Sequence, residues 1–531
     1  MKRNNIATIL FGVAVATLTS CGDVADEITS TLFGRNFSPI DFEAKNIGEE
    51  NASLSWKASS GATSYVLEVF ADDSLAFEGE ADYSYEIENT KMDLEQLTFD
   101  TRYSARVKAI TAEDESRDSK WSELTFKTSP KQFMSSIREN DIADRSVIIR
   151  WHLDEGYDVS TIVIGNVTHV ITEEEKAAEC ATVEGLTPET AYTAYLYYNG
   201  KQLGSRNFTT IADLAGATLV HEGDDLKGML ENATSGEVFA LFGGNYTISA
   251  GEEGTATAGS AKISTNITIK GVYPTNQPVI NGRFEINDGA ALSISQVVLD
   301  GTGTSGDQCF NYKTADATYG ALDIQNTEIR NYSKGTLYVN VKSSIESVTF
   351  NNCLIHDIKC SGGDMFDCRT GLIKSFTLSN STIYNSAADR DFIRMDDASG
   401  NFAGAAGPIV TVDHCTMHNV GTADAARQLM YVRFVGNKVT FTNNIVSGFK
   451  NKRGFTNQVN TDNMPTLSNN FYYNCVNLVK AGANADANIK WFDENGTELS
   501  ADPFAGATNA NFTLNPDDAP ARSGAGDPRW R

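Results

Sequence analysis

Across residues 322–475 apolar and polar positions alternate in short runs, and the runs repeat one phrase. It reads Leu322-Asp-Ile-Gln-Asn326, Val348-Thr-Phe-Asn-Asn352, Phe376-Thr-Leu-Ser-Asn380, Val410-Thr-Val-Asp-His414, Val439-Thr-Phe-Thr-Asn443 and Pro465-Thr-Leu-Ser-Asn469. The starts lie about 26 to 34 residues apart, a spacing that marks a repeat architecture. Alternation with period two predicts strands with one buried face; no helical period fits. Each repeat reads as a strand, a one-residue corner, a strand, a loop and a third strand. That is one coil of a right-handed parallel β-helix. Fainter copies, Ile267-Thr-Ile-Lys-Gly271 and Leu292-Ser-Ile-Ser-Gln296, extend the pattern upstream.

The fifth position of the phrase is Asn326, Asn352, Asn380, His414, Asn443 and Asn469. Asn tolerates the left-handed backbone of a sharp corner, and its amide can bond the same amide one coil away. Inward positions also align: Cys353, Ser381 and Cys415, then Ile355, Ile383, Met417 and Val446. Upstream, Asp224-Asp-Leu-Lys-Gly-Met-Leu-Glu-Asn-Ala233 predicts a short amphipathic helix over the open end of the stack, because terminal coils must cover their core. The turn-rich stretch from Asp502 to Trp530 is expected to close the other mouth.

Ahead of the repeats the pattern changes to longer alternating strands. Leu54-Ser-Trp56 and Tyr65-Val-Leu-Glu-Val-Phe70 predict a β-sandwich over residues 37–129. Leu97-Thr-Phe-Asp-Thr101-Arg-Tyr103 resembles the Leu-x-Pro-x-Thr-x-Tyr tyrosine corner of fibronectin type III domains, with Phe99 in place of the usual Pro. Ser119-Lys-Trp121 and the strand after it resemble that family's last strand. A second unit, 130–211, carries Val147-Ile-Ile-Arg-Trp151 and the fuller corner Leu186-Thr-Pro188-Glu-Thr190-Ala-Tyr192. In such corners the Tyr hydroxyl pins a crossing between the sheets. The expected class is therefore all-β: two fibronectin type III-like sandwiches, then a β-helix over 212–531. The sandwiches hold no catalytic constellation and read as spacers or interaction modules.

Composition adds three points. The net charge is −26 over 531 residues, with 17 basic and 35 acidic residues in 22–211 against 24 and 34 in 212–531; nucleic acid is an unsuitable partner for such a chain. Seven cysteines follow Cys21 without a C-x-x-C pair, which points to small core residues rather than a zinc site or disulfide framework. Finally, Lys2 and Arg3 precede an apolar run over 6–18 too short to span a bilayer. Leu18-Thr-Ser-Cys21 resembles the lipobox of bacterial lipoproteins, in which the Cys is diacylated. The resemblance implies a signal peptide over 1–21, a lipid anchor on Cys21 and a tether over 22–36. Asp23, Asp26 and Glu27 resemble the surface-export signal of Bacteroidetes lipoproteins, implying an outer-membrane protein facing the cell exterior.

Candidate chemistry lies on the third strand of each coil, after the loops 357–364, 385–391 and 419–428. Those strands are Asp364-Met-Phe-Asp-Cys-Arg369, Asp391-Phe-Ile-Arg-Met-Asp396 and Gln428-Leu-Met-Tyr-Val-Arg433. With Phe366, Ile393 and Met430 inward, one outward column is Asp367, Arg394, Tyr431 and a second is Arg369, Asp396, Arg433. Tyr338 and Asn340 extend them on one side and Gln458 on the other. Coils stack about 4.8 Å apart, near the advance of one sugar unit, and forked guanidiniums suit uronate carboxylates. The bland alternative is charges pairing across rungs. Residues 425–460 hold six basic residues and no acid. A further column, Arg330, His356, Tyr384, His418 and Tyr473, reads as ordinary surface or as ring faces for sugars.

The lipobox, the tandem fibronectin-like units, the β-helix and the ending Gly526-Asp-Pro-Arg-Trp530 together resemble a group of Bacteroidetes surface lipoproteins encoded beside polysaccharide-uptake systems, notably for pectin. The resemblance implies binding of an acidic, pectin-like polysaccharide, with glycan-uptake machinery as a partner. Carbohydrate-binding candidates are Arg369, Arg394, Arg433, Tyr431, Asp367, Asp396 and Tyr338. Pectate-lyase-like β-helices place their cleft on this same strand. The motifs of inverting polygalacturonases are incomplete here: Asp396-Asp397 precedes Asn460-Thr-Asp462, and the Gly-His-Gly and Arg-Ile-Lys phrases are missing. Val412-Asp413-His414-Cys415 resembles the tail of a pectate-lyase phrase but lacks its Trp. A calcium-assisted lyase, with an arginine as base and Asp367 and Asp396 as calcium ligands, stays open beside non-catalytic binding. So does an adhesin or structural stalk.

Overall fold

The computed structural model describes residues 34–112, 114–248, 259–304, 308–456 and 464–531. Cys21 and its acidic neighbours, Gln458 and the Asn460 to Asp462 motif lie outside the described residues. The chain is all-β and divides into two compact units, one running to residue 133 with 196–204, the other comprising 134–195 and 205–531.

The first sandwich pairs a three-stranded sheet with a four-stranded one, all antiparallel. Trp56 fills its centre, edge-on to Phe42 at 5.9 Å and Tyr65 at 5.5 Å. The corner forms despite Phe99: the Tyr103 hydroxyl accepts from Thr98 N at 2.8 Å. The second sandwich has four-stranded and two-stranded sheets, and its Tyr192 hydroxyl accepts from Thr187 N at 3.1 Å.

Among the described residues from 218 onward, three parallel sheets of eleven, ten and seven strands wrap one core. The repeated phrase is the first sheet, in the register its alignment predicts: Leu322, Val348, Phe376, Val410 and Val439 stack rung on rung. The second sheet stacks Ile329, Ile355, Ile383, Met417, Val446 and Tyr472. The third stacks Phe310, Leu337, Phe366, Ile393 and Met430. These side chains are buried, and each contributes on the order of 1.5–3 kcal/mol of apolar transfer.

All six predicted corner residues have positive φ, from 49° at Asn380 to 57° at Asn443. The amide column is partial. Asn352 donates to Asn326 and Asn469 to Asn443, but Asn380 turns to Asn351 and Asn443 to Asp413. His414 bonds Asp413 at 2.6 Å. A second left-handed corner follows five residues later in each coil, at Asn331, Asp357, Asn385, Asn419 and Asn474, with Gly448 in the same place.

The helix Leu226–Glu231 caps the first coils, with Asp225 as N-cap and Leu226 and Leu230 buried. The far mouth is closed differently from expectation. Asp493, fully buried, accepts from Asn470 and Tyr472 across the last rung. The stretch after 502 instead folds back over the second sheet: Phe512 packs on Tyr384 and His418, Phe504 on His418, and Trp530 on Phe512. Trp530 Nε1 donates to Thr382 and Arg529 to Asn352, so this strap crosses several coils.

Candidate functional site

The third sheet brings the predicted columns together. Its strands Leu337–Val339, Phe366–Cys368, Ile393–Met395 and Met430–Val432 set Tyr338, Asp367, Arg394 and Tyr431 side by side facing outward. Arg369, Asp396 and Arg433 follow one residue past each strand, held by amide bonds to Val339, Cys368 and Met395.

The arginines meet carboxylates of the protein itself. Arg369 grips Asp367 with Nε at 3.0 Å and Nη2 at 2.8 Å. Arg394 forks onto Asp396 at 2.9 and 2.8 Å and reaches Asp364 at 3.0 Å. Arg433 binds Asp396 at 2.6 Å. Tyr431 lies within cation–π distance of two guanidiniums, 5.5 Å from Arg394 and 4.8 Å from Arg433, and Tyr338 lies 5.8 Å from Arg369. Cation–π contact of this kind adds about 0.5–1 kcal/mol where exposed.

Burial then sorts the carboxylates. Asp367 has no exposed side-chain surface; desolvation raises its pKa, with Arg369 pulling the other way. Desolvation also works against charge on Asp396, but Arg394 and Arg433 outweigh it and hold the pKa below the ordinary carboxylate range. Asp391 is pushed up to about 6, first by burial and then by the like charge of Asp364.

Sequence reasoning did not assign a role to Asp364, Asp391 and Gln428, which open the three quoted strands. They form a buried ladder behind the face: Asp391 N donates to Asp364 at 3.1 Å and Gln428 N to Asp391 at 2.7 Å. The signal was their shared position two residues before each inward side chain. Arg427 lies 3.8 Å from Asp391. Four arginines thus face four aspartates.

Calcium does not fit the pair proposed to hold it. Both Asp367 oxygens take guanidinium donors, as do both Asp396 oxygens. Among the described residues no group of three His, Cys, Asp or Glu is placed to hold a metal ion. The other column, Arg330, His356, Tyr384, His418 and Tyr473, lies on the second sheet. His356 stacks on Tyr384 at 4.6 Å and binds Glu328 and Asp357, while the strap packs on Tyr384 and His418. It is not an open platform. Cys353 and Cys415 are buried rungs, and burial raises the pKa of both thiols.

Comparison with known proteins divides the chain in the same way. The fibronectin type III domain family matches residues 37–125. Two families described as domains of unknown function, DUF4957 and DUF5123, match 244–386 and 410–530 of the β-helix. No curated protein matches. Among solved structures, a two-domain fibronectin type III segment of chicken tenascin is 18% identical, covering 32% of this chain and 97% of its own, with a TM-score of 0.23. The fibronectin domain of the human collagen alpha-1(XX) chain is 17% identical, covering 20% and 99%, TM-score 0.17. The FN5 domain of Drosophila Lar is 20% identical, covering 18% and 97%, TM-score 0.14. Likenesses of that size carry no argument about function. A fibronectin type III domain followed by a parallel β-helix fits a carbohydrate-binding or a structural role. Among the described residues no helix is long and apolar enough to cross a membrane.

Proposed function

We propose that this chain is a surface protein, anchored through a lipid on Cys21 to the outer membrane, that binds polysaccharide along the outward face of the third β-helix sheet. The supporting observation is Tyr431, a half-buried ring within cation–π distance of Arg394 and Arg433, with Asp396 bridging the two guanidiniums. An aromatic face packs on the C–H face of a sugar ring. Carboxylate–guanidinium pairs beside it offer both acceptors and donors to vicinal hydroxyls.

The ligand class is a pectin-like plant polysaccharide. Because the arginines are already neutralised, contact runs mainly through sugar hydroxyls.

Affinity electrophoresis tests this. Full-length protein is run through gels containing polygalacturonan, highly methyl-esterified pectin or rhamnogalacturonan, with and without calcium. The expected result is retardation by pectins of either ester content, weakened about tenfold in Tyr431→Ala. Equal mobility in every gel sinks the proposal. Chelator-sensitive growth of unsaturated-uronate absorbance in the same mixtures would replace binding with lyase activity.

A further inference from the structure

A cleft of about 800 Å³ opens where the second sandwich meets the first coils of the β-helix, inside one compact unit. On the sandwich side Tyr192 and Phe208 stack, with centroids 5.8 Å apart and planes at 28°. Facing them, a turn closed by a Tyr273–Asn276 bridge presents Tyr273 and Pro274. Polar groups stand between these apolar surfaces. Thr193 donates to Asn207 at 2.8 Å, and Glu139 accepts from Asn276 at 3.1 Å. Among the described residues no lysine or arginine lines the cleft, and Glu139 is its one carboxylate.

We propose that this cleft is a second binding site and that it takes a neutral saccharide unit. Its volume lies in the range of about 300–1,000 Å³ usual for small-ligand sites. Two flat apolar walls suit the C–H faces of a pyranose. Hydroxyls, an amide and a carboxylate at the rim suit its hydroxyls, and interrupt the continuous apolar lining that a lipid tail needs. Anions are disfavoured, because Glu139 repels them and nothing in the lining neutralises them. The sandwich wall is preorganised. The Tyr192 hydroxyl is pinned to Thr187 N, and Gly165, at φ 56°, leaves 3.2 Å between the ring and the place a Cβ would occupy. A wall fixed before binding loses little freedom on binding. The site lies apart from Tyr431 and does not depend on the reading of the third sheet.

The test uses full-length protein and saturation-transfer NMR with titration by galactobiose, cellobiose and arabinobiose, and digalacturonate as the charged counterpart. The expected result is binding of at least one neutral disaccharide that an equal concentration of digalacturonate does not displace. Tyr273→Ala should weaken the neutral ligand about tenfold or more, and Tyr273→Phe should retain it. Tyr273 is on a surface turn, and circular dichroism verifies that its variants fold. No binding of any neutral disaccharide overturns the proposal. So does binding that Tyr273→Ala leaves intact.

Discussion

Asp391→Asn should make the β-helix more stable at high pH, and the gain should vanish in acid. Asp391 is buried behind the third sheet with Asp364 beside it; its other neighbours are Gln428 N at 2.7 Å, Arg427 at 3.8 Å and the charge of Arg394. In an unfolded chain Asp titrates near about 3.9; here the pKa is about 6. Below about 4 both states hold the proton and the residue is neutral in each. As pH rises through 6 the folded state must release it into buried, acidic surroundings, so stability present in acid is lost. Two pKa units at 1.36 kcal/mol each make this roughly 3 kcal/mol by pH 8. Asn is isosteric, keeps an acceptor for Gln428 N and carries no charge. Calorimetry of the β-helix transition from pH 4 to pH 8 should show the variant's advantage growing to about that size. An advantage independent of pH, or a variant less stable than the parent at pH 8, refutes the reasoning. The first would mean an ordinary exposed acid; the second would mean that the Arg427 pair outweighs burial.

Three further outcomes follow from the same geometry. Trp530→Ala removes the indole bond to Thr382 and the packing on Phe512, and should cost about 2 kcal/mol; hydrogen exchange should rise at Tyr384 and His418 of the second sheet and not in the third. Asn443→Ala should cost about 2–3 kcal/mol, from its left-handed φ of 57° and two lost amide bonds, and Asn443→Gly should recover the backbone share when the two are compared by denaturant melts. Burial pushes the Cys353 and Cys368 thiols up to about 12, so a thiol reagent at neutral pH should label half-exposed Cys180 in the native protein and reach these two only in urea.

The register of the β-helix was legible because two constraints coincide. A one-residue slip in a strand turns its buried face to water, and each corner needs a residue that tolerates positive φ. Aligning Val348, Phe376 and Val410 on the corners Asn352, Asn380 and His414 satisfies both at once. The second corner was equally written, always five residues after the first, but its identities vary between Asn, Asp and Gly, which hid it. The outward columns of the third sheet followed from placing Phe366, Ile393 and Met430 inward. Their ion pairing did not follow, since Asp364 reaches Arg394 from a strand 30 residues earlier. The strap was least legible. Its place over the second sheet rests on Phe504, Phe512 and Trp530, which have no period and show their role only where they meet Tyr384 and His418.

That separation along the chain also explains why the basic stretch does not make a basic surface. Within residues 425–460 the sequence holds six cations and no acid, yet Arg427 faces Asp391, Arg433 binds Asp396, Lys452 binds Asp424 and Arg453 binds Asp486, while Lys450 bonds Asn474. Four of these partners are acids supplied by other coils or by the adjoining loop. In a solenoid the nearest neighbour in space is a full repeat away in sequence, so a local run of one charge meets whatever stands in its column. Columns, not runs, set what the surface offers a ligand. On the third sheet the columns offer a tyrosine beside compensated pairs, and compensated pairs are suited to hydroxyls, which both donate and accept, better than to a bare anion.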